Sequence, residues 1–243
     1  MSVDRYFDAI SELVNKIRQS QKQSIGNVAK KLANIVEQRH VIHIYDSGHM
    51  LSSELIGRAG GLMLLTPLRF QFTVDNPAVQ REKNVTSSQR LLGLAPLVLD
   101  YSCVKEGDAL IIGSVSGRQI FPIELAIEAK RRGIYTVGLT SLSYSSRLSS
   151  NHPSGKRLFE AVDDVLDNCA PFGDALLAID GLSGPMCPAS GIGAACVAWA
   201  LCAALTEELI SRGLTPHVYK SINMDGGEEA NQRELEEYKK LGY

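Results

Sequence analysis

Apolar positions near the start of the chain recur at steps of three and four. Val3, Phe7, Ile10, Val14 and Ile17 form one stripe, and Ile25, Val28, Leu32 and Ile35 form a second. This spacing predicts helix over residues 4–38 in two stretches, with charges on the opposite face. The period then shortens. Val41–Tyr45 (VIHIY) reads as a strand that stops at Asp46-Ser47-Gly48-His49. Helical signals resume over 51–59 and close on Gly60-Gly61, a C-terminal cap, and LMLLT before Pro67 is another short apolar run. Beyond it, Ala109–Ile112 predicts a strand, Phe121–Arg132 a helix, Ile134–Ser141 a strand and Asp163–Asn168 a short further strand, with another at Ala175–Ile179. A long helix is expected over Ser190–Arg212, ending at Gly213, and a charged surface helix over Gly227–Lys240. Phe70–Ser88 has no clean period and many polar residues, which marks a loop or short helix near a site.

Short apolar strands alternating with longer helices imply parallel βαβ units, whose sheets are buried on both faces. The expected fold class is therefore α/β with a mainly parallel five-stranded sheet. The expected organisation is an N-terminal helical appendage (1–38), one α/β domain (39–215) and a C-terminal tail helix (216–243).

Composition narrows the function classes. The 243 residues are 44% hydrophobic, and 25 Lys+Arg against 27 Asp+Glu leave a net charge of -2. That balance gives no broad electrostatic footprint for nucleic acid or an anionic membrane. Cys103, Cys169, Cys187, Cys196 and Cys202 are scattered, with no CxxC and no ligand-spaced histidines, as expected of reduced cytosolic thiols. The first twenty residues carry acids and bases throughout, unlike a signal peptide. Pro188–Leu205 is uncharged and close to the length of a membrane span, but it is rich in Ala, Gly, Cys and Ser and runs into Thr206-Glu207-Glu208 without a break. A buried, close-packed helix in a cytoplasmic chain is the expectation.

Three predicted strand ends carry small polar residues: Asp46-Ser47-Gly48-His49, Gly113-Ser114-Val115-Ser116-Gly117-Arg118 and Thr140-Ser141. In an open α/β sheet, ligands bind outside the carboxyl ends of the strands. A Ser/Gly turn leading into a helix exposes amides where the macrodipole favours an anion, and hydroxyls add donors. Nucleotide motifs fail: GIGAAC (191–196) lacks a third glycine and follows no early βαβ unit, so its glycines are expected to permit close packing. PSGKR (153–157) lacks the upstream glycine of a P-loop.

A strand ending in Ser-x-Ser-Gly, after an earlier Gly-containing strand end, resembles the SIS (sugar isomerase) domain. The stretches GHMLSSELIGRAGGL, SVSGRQIFPIELAIEAKRRG, TSLSYS, SGKRLFE and MDGG carry the likeness over about Val28 to Gly213 and resemble a largely uncharacterised bacterial subfamily of single-SIS-domain proteins. The resemblance implies a flavodoxin-like three-layer sandwich, a phosphosugar ligand, a homodimer or homotetramer, and aldose–ketose isomerisation. Ether cleavage and ligand sensing are the alternatives. Asp46 and Met50 depart from the usual Gly-x-Gly-x-Ser, and Gln119 stands where Thr or Asn is usual.

The expected binding residues are Ser47, Gly48, Ser114, Ser116, Gly117, Arg118, Gln119 and Ser141. Isomerisation needs a base to move a proton between adjacent carbons and a group to open the ring. Glu54 is expected as that base and His49 for ring opening, with Glu82 as an alternative base. His152 and Lys156 form a polar cluster that can reach a partner subunit's site, and Glu124 is expected in solvent or pairing with its own helix. His43 reads as a hydrogen-bonded core residue, and Asp225, Glu228 and Glu229 as caps of the last helix. No metal-ligand or cofactor set is apparent, so the expected chemistry is metal-free.

Overall fold

A computed structural model describes residues 1–48, 50–73 and 92–243. The elements run α1 (Ser2–Glu37), β1 (Ile42–Asp46), α2 (Ser52–Leu55), β2 (Leu65–Pro67), α3 (Leu94–Asp100), β3 (Ala109–Gly113), α4 (Ile120–Arg131), β4 (Tyr135–Thr140), α5 (Leu142–Ser145), α6 (Leu158–Ala161), β5 (Asp164–Asp167), β6 (Ala175–Leu177), β7 (Met186–Pro188), α7 (Ser190–Ser211) and α8 (Gly227–Leu241). Strands β1–β5 form one parallel sheet in the order β2-β1-β3-β4-β5. This is the flavodoxin-like order, in which connectivity reverses beside β1. β1 and β3 pair from Ile42↔Ala109 to Asp46↔Gly113, so their carboxyl ends finish level.

The strands read as apolar runs because both faces of the sheet are covered. Ile42, Ile44, Ala109, Ile111, Val137 and Leu139 share a core with residues of α1 and α7. Leu110 and Ile112 join a second core with Phe121, Ile123, Leu125 and Ala126 of α4, Ala95 and Leu99 of α3 and Leu158 of α6. Three layers result. β1 also holds His43, whose Nε2 meets Asp108 Oδ2 at 3.1 Å in the interior; burial holds its pKa below the usual value. Asp108 accepts in addition from the amides of Val41 and Lys105, which anchors the entry of β1 beside that of β3.

The two predicted N-terminal stretches are one helix, about 54 Å long at 1.5 Å per residue. Gly26 does not interrupt it, because Ile25, Val28, Ala29, Leu32 and Ala33 are buried on either side. Its stripe outruns the body of the fold: Leu13 and Ile17 are buried, whereas Val3 and Phe7 are each 62% exposed. α7 is long and apolar enough to cross a membrane by length and composition. Here Ala194, Val197, Ala198, Leu201, Leu205 and Leu209 lie in the core it shares with α1.

Three local expectations change. The helix expected over 51–59 stops at Leu55, and Ile56 is extended. Downstream, Gly60 and Met63 donate to the carbonyls of Tyr219 and His217, so pairing with the C-terminal segment overrides local helix preference. The strand at Ala175–Leu177 leaves the main sheet and pairs antiparallel with β7. The short helices α3, α5 and α6 have too few turns to show a period in the sequence.

Gly193, within GIGAAC, faces the carbonyl oxygen of Asn168 just beyond β5, and a Cβ there would overlap that oxygen. Backbone cannot move aside as a flexible side chain can, so a Gly193→Ala variant is expected to lose about 1–3 kcal/mol of stability. Urea unfolding monitored by circular dichroism checks this, and an unchanged midpoint would show that α7 and β5 do not meet this closely.

Candidate functional site

The turn after β3 lies at the switch point. Among the described residues, the amides of Val115, Ser116, Gly117, Arg118 and Gln119 donate to nothing in the chain, and neither do the hydroxyls of Ser114 and Ser116. These groups precede the 12-residue α4, whose N-cap Gln119 makes no side-chain cap. Arg118 Nη2 donates to Asn151 Oδ1 at 2.8 Å, while its Nε is sealed from solvent with no acceptor. Buried backbone donors without acceptors are rare in folded proteins; of these residues Gly117 is buried, Val115, Ser116 and Arg118 are half-buried and Gln119 is exposed. A row of five at a helix N-terminus forms a cradle suited to an anion.

The turn survives because Gly117 adopts φ +55°. A Cβ there would lie 2.9 Å from Ser145 Oγ and 3.1 Å from Thr140 Oγ1. The carbonyls of the turn are held from outside. Val115 O accepts from Thr140 Oγ1 and the Ser141 amide, Gly117 O from Leu158 N at 2.7 Å, and Arg118 O from Asn151 N at 2.9 Å. With its carbonyls held behind, the turn keeps its amides forward.

The other two strand ends differ from expectation. After β1, Asp46 Oδ1 accepts from Gly48 N, and Oδ2 accepts from Leu51 N at 2.7 Å and Ser52 N at 3.3 Å. Ser47 donates through both its amide and its hydroxyl to Gly113 O. This turn carries its own anion. Met50, in place of a hydroxyl, is 2% exposed and lies against Asn168 Nδ2. Ser141 is fully buried; it caps α5 through Tyr144 N and donates to Ala170 O, so it supports the cradle rather than lining it.

Glu54 pairs with Arg58 at 3.0 Å and lines an open depression with Gly191, Ile192, Ala195, Cys196 and Trp199 of α7. His49 and Glu82 lie outside the described residues. Glu124 is half-buried, and its carboxylate pairs with a neighbouring helix, accepting from Gly93 N and Ala95 N at the start of α3. Residues 150–158 return to this chain's own turn through the Asn151 and Leu158 contacts above and a long Asn151 Nδ2–Gln119 Oε1 contact of 3.4 Å, with His152 next to Asn151 in the same loop. His152 Nδ1 meets Ser154 Oγ and N; burial lowers its pKa, opposed by nearby Glu124. At α8 the N-cap is Gly226 with no side-chain cap, so Glu228 and Glu229 act only through the helix dipole. No group of three metal-ligating side chains occurs among the described residues.

Residues 5–141, more than half of the chain, match the family model of the SIS domain. The chain belongs to the SIS domain family. A UPF0309 protein of Streptomyces coelicolor is 35% identical over 236 residues, 96% of this chain and 94% of that one. A UPF0309 protein of Geobacillus thermodenitrificans is 33% identical over 241 residues, 98% and 95% of the two chains. Among solved structures, a phosphoheptose isomerase from Francisella tularensis shares the fold with a TM-score of 0.51 and 13% identity, over 85% of this chain and 97% of that one. The five-stranded parallel sheet with helices on both faces is thus a SIS-domain architecture.

Asn151 was not anticipated, since nothing local in a Ser/Asn/Pro loop points to a partner 33 residues away. Asp46 drew notice only as a departure; its capping role needs the positions of amides two to six residues on. An Asp46→Ala variant leaves these three amides without their acceptor and is expected to lose about 1–3 kcal/mol, with Asp46→Asn losing less. Thermal melts of both variants check the order; equal stability of Asp46→Ala and the parent would show that the amides find other acceptors.

Proposed function

We propose that this SIS domain holds the phosphate of a sugar phosphate in the Ser114–Gln119 cradle and interconverts its aldose and ketose forms by metal-free acid–base chemistry. The carrying observation is the row of five unpaired amides with two free hydroxyls at the switch point. Their geometry supplies donors to several oxygens of one anion, and Arg118 adds charge. Support also comes from the fold shared with a phosphoheptose isomerase. In this reading the sugar lies toward the β1 end, beside Ser47 and Gly48, with Glu54 moving the carbon-bound proton and His49 assisting ring opening.

A second reading, a sugar-phosphate sensor without catalysis, is favoured by one feature: Glu54 is already engaged by Arg58. Proton NMR of hexose, pentose and heptose phosphates with the protein in deuterated water separates the two. Deuterium entering the carbon beside the carbonyl is expected of an isomerase; binding in thermal-shift assays with no exchange across the panel would establish the sensor. Ser116→Ala is expected to weaken phosphate binding about tenfold. A Glu54→Gln variant with full turnover would remove Glu54 as the base.

The working unit in this reading is a cytoplasmic homodimer. Val3 and Phe7 continue the stripe that buries Leu13 and Ile17, which suits packing against the same stripe of a second copy. Light scattering is expected to show a dimer that Phe7→Asp converts to monomer; a parent protein that is already monomeric would overturn this.

A further inference from the structure

The loop between α5 and α6 carries a histidine next to Asn151, which contacts the cradle, with one ring nitrogen occupied and the other free. Asn151 clamps the loop to Arg118 through backbone and side chain, and Leu158 N donates to Gly117 O at the far end. Within the loop, Ser150 Oγ donates to Lys156 O and accepts from His152 N, so the backbone on either side of the imidazole is tied.

The imidazole's hydrogen bonds select its tautomer. Ser154 N donates to His152 Nδ1 at 3.1 Å, which requires a lone pair on Nδ1. With Nδ1 thus an acceptor, the Ser154 hydroxyl, which accepts from Lys156 N, donates to it at 2.8 Å. The neutral ring therefore carries its proton on Nε2, which has no partner among the described residues. A charged ring would turn an Nδ1 proton toward the Ser154 amide proton. The groups acting on the ring are Glu124 of α4 and its own loop, and burial outweighs the attraction of Glu124.

Resting on the phosphosugar reading above, we propose that His152 is a specificity residue for the sugar: a neutral Nε2–H donor to an oxygen of the sugar whose phosphate the cradle holds. A neutral imidazole donates a hydrogen bond to a carbonyl or hydroxyl oxygen without presenting a second cation to the phosphate. The cradle alone recognises any phosphate; a donor fixed at a set distance from it recognises what is attached. His152 thus belongs to the same chain's site.

The test compares inorganic phosphate with the tightest-binding member of the hexose, pentose and heptose phosphate panel, by calorimetry on the full chain. His152→Ala is expected to weaken the sugar phosphate about tenfold and leave inorganic phosphate unchanged. His152→Gln, which retains an N–H near the Nε2 position, is expected to recover affinity to within about threefold. Nitrogen-15 correlation spectra of the parent protein are expected to show a protonated Nε2 and an unprotonated Nδ1. Unchanged sugar-phosphate affinity in His152→Ala, equal loss in both variants, equal loss of inorganic phosphate, or a protonated Nδ1 overturns the assignment. So does a panel in which no sugar phosphate binds more tightly than inorganic phosphate. Failure of the parent protein to bind inorganic phosphate would instead remove the cradle reading on which the assignment rests.

Discussion

Backbone amides at the end of a parallel strand lose their ladder partners, and something must accept from them. The two turns flanking the seam between β1 and β3 meet that demand in opposite ways. After β1 the acceptor is internal, because the Asp46 carboxylate takes the amides of Gly48, Leu51 and Ser52. After β3 no acceptor exists in the described chain, and the amides of 115–119 stand ready for one from outside. This asymmetry, more than the presence of three polar strand ends, is the basis of the proposed anion site.

The frame around the seam makes both solutions possible. Gly113 sits opposite Asp46, and a Cβ there would meet Leu51 Cδ1 at 3.0 Å and Asp46 Oδ1 at 3.1 Å, so the carboxylate can fold over its turn only beside a glycine. Ser47 binds Gly113 O twice, which locks the end of β1 to the end of β3. On the other flank, Thr140 and Ser141 hold Val115 O. Every carbonyl contact comes from an element behind the cradle, so the turn need not reorganise to receive an anion. Such preorganisation lowers the ordering cost of binding.

Much of this was legible in the sequence. Apolar runs mark β1, β3 and β4 as strands, since parallel strands buried on both faces are largely apolar; β2 shows only as a short apolar run, and β5 reads as a strand despite its two aspartates. The Ser114–Gly117 turn was legible because Ser and Gly follow a buried apolar run directly and precede a helical period, although Ser as an N-cap and Gly in a turn serve the same places without a ligand. What stayed hidden depends on distance. That Ser141 lies under the cradle, that Glu124 caps α3, and that residues 150–158 return to Arg118 are facts about contacts 25 to 33 residues apart. The early end of α2 belongs with them, fixed by pairing with residues 217–219.

Charge placement gives the site a direction. Asp46 puts a carboxylate at the end of β1, while Arg118, with a buried Nε lacking an acceptor, lies just before α4. A ligand with one strongly anionic end is repelled from the first and drawn to the second, the more so where water is partly excluded. In the proposed reading the phosphate lies over the 115–119 amides and the neutral body toward β1 and α2. That polarity also accounts for the departure from the family's usual first turn. A carboxylate at Asp46 would be a poor neighbour for a second phosphate or a carboxylated sugar, but a tolerable one for hydroxyls, which can donate to it. On the proposed reading, the chain pairs a phosphate cradle with a first strand end suited to the uncharged part of the ligand.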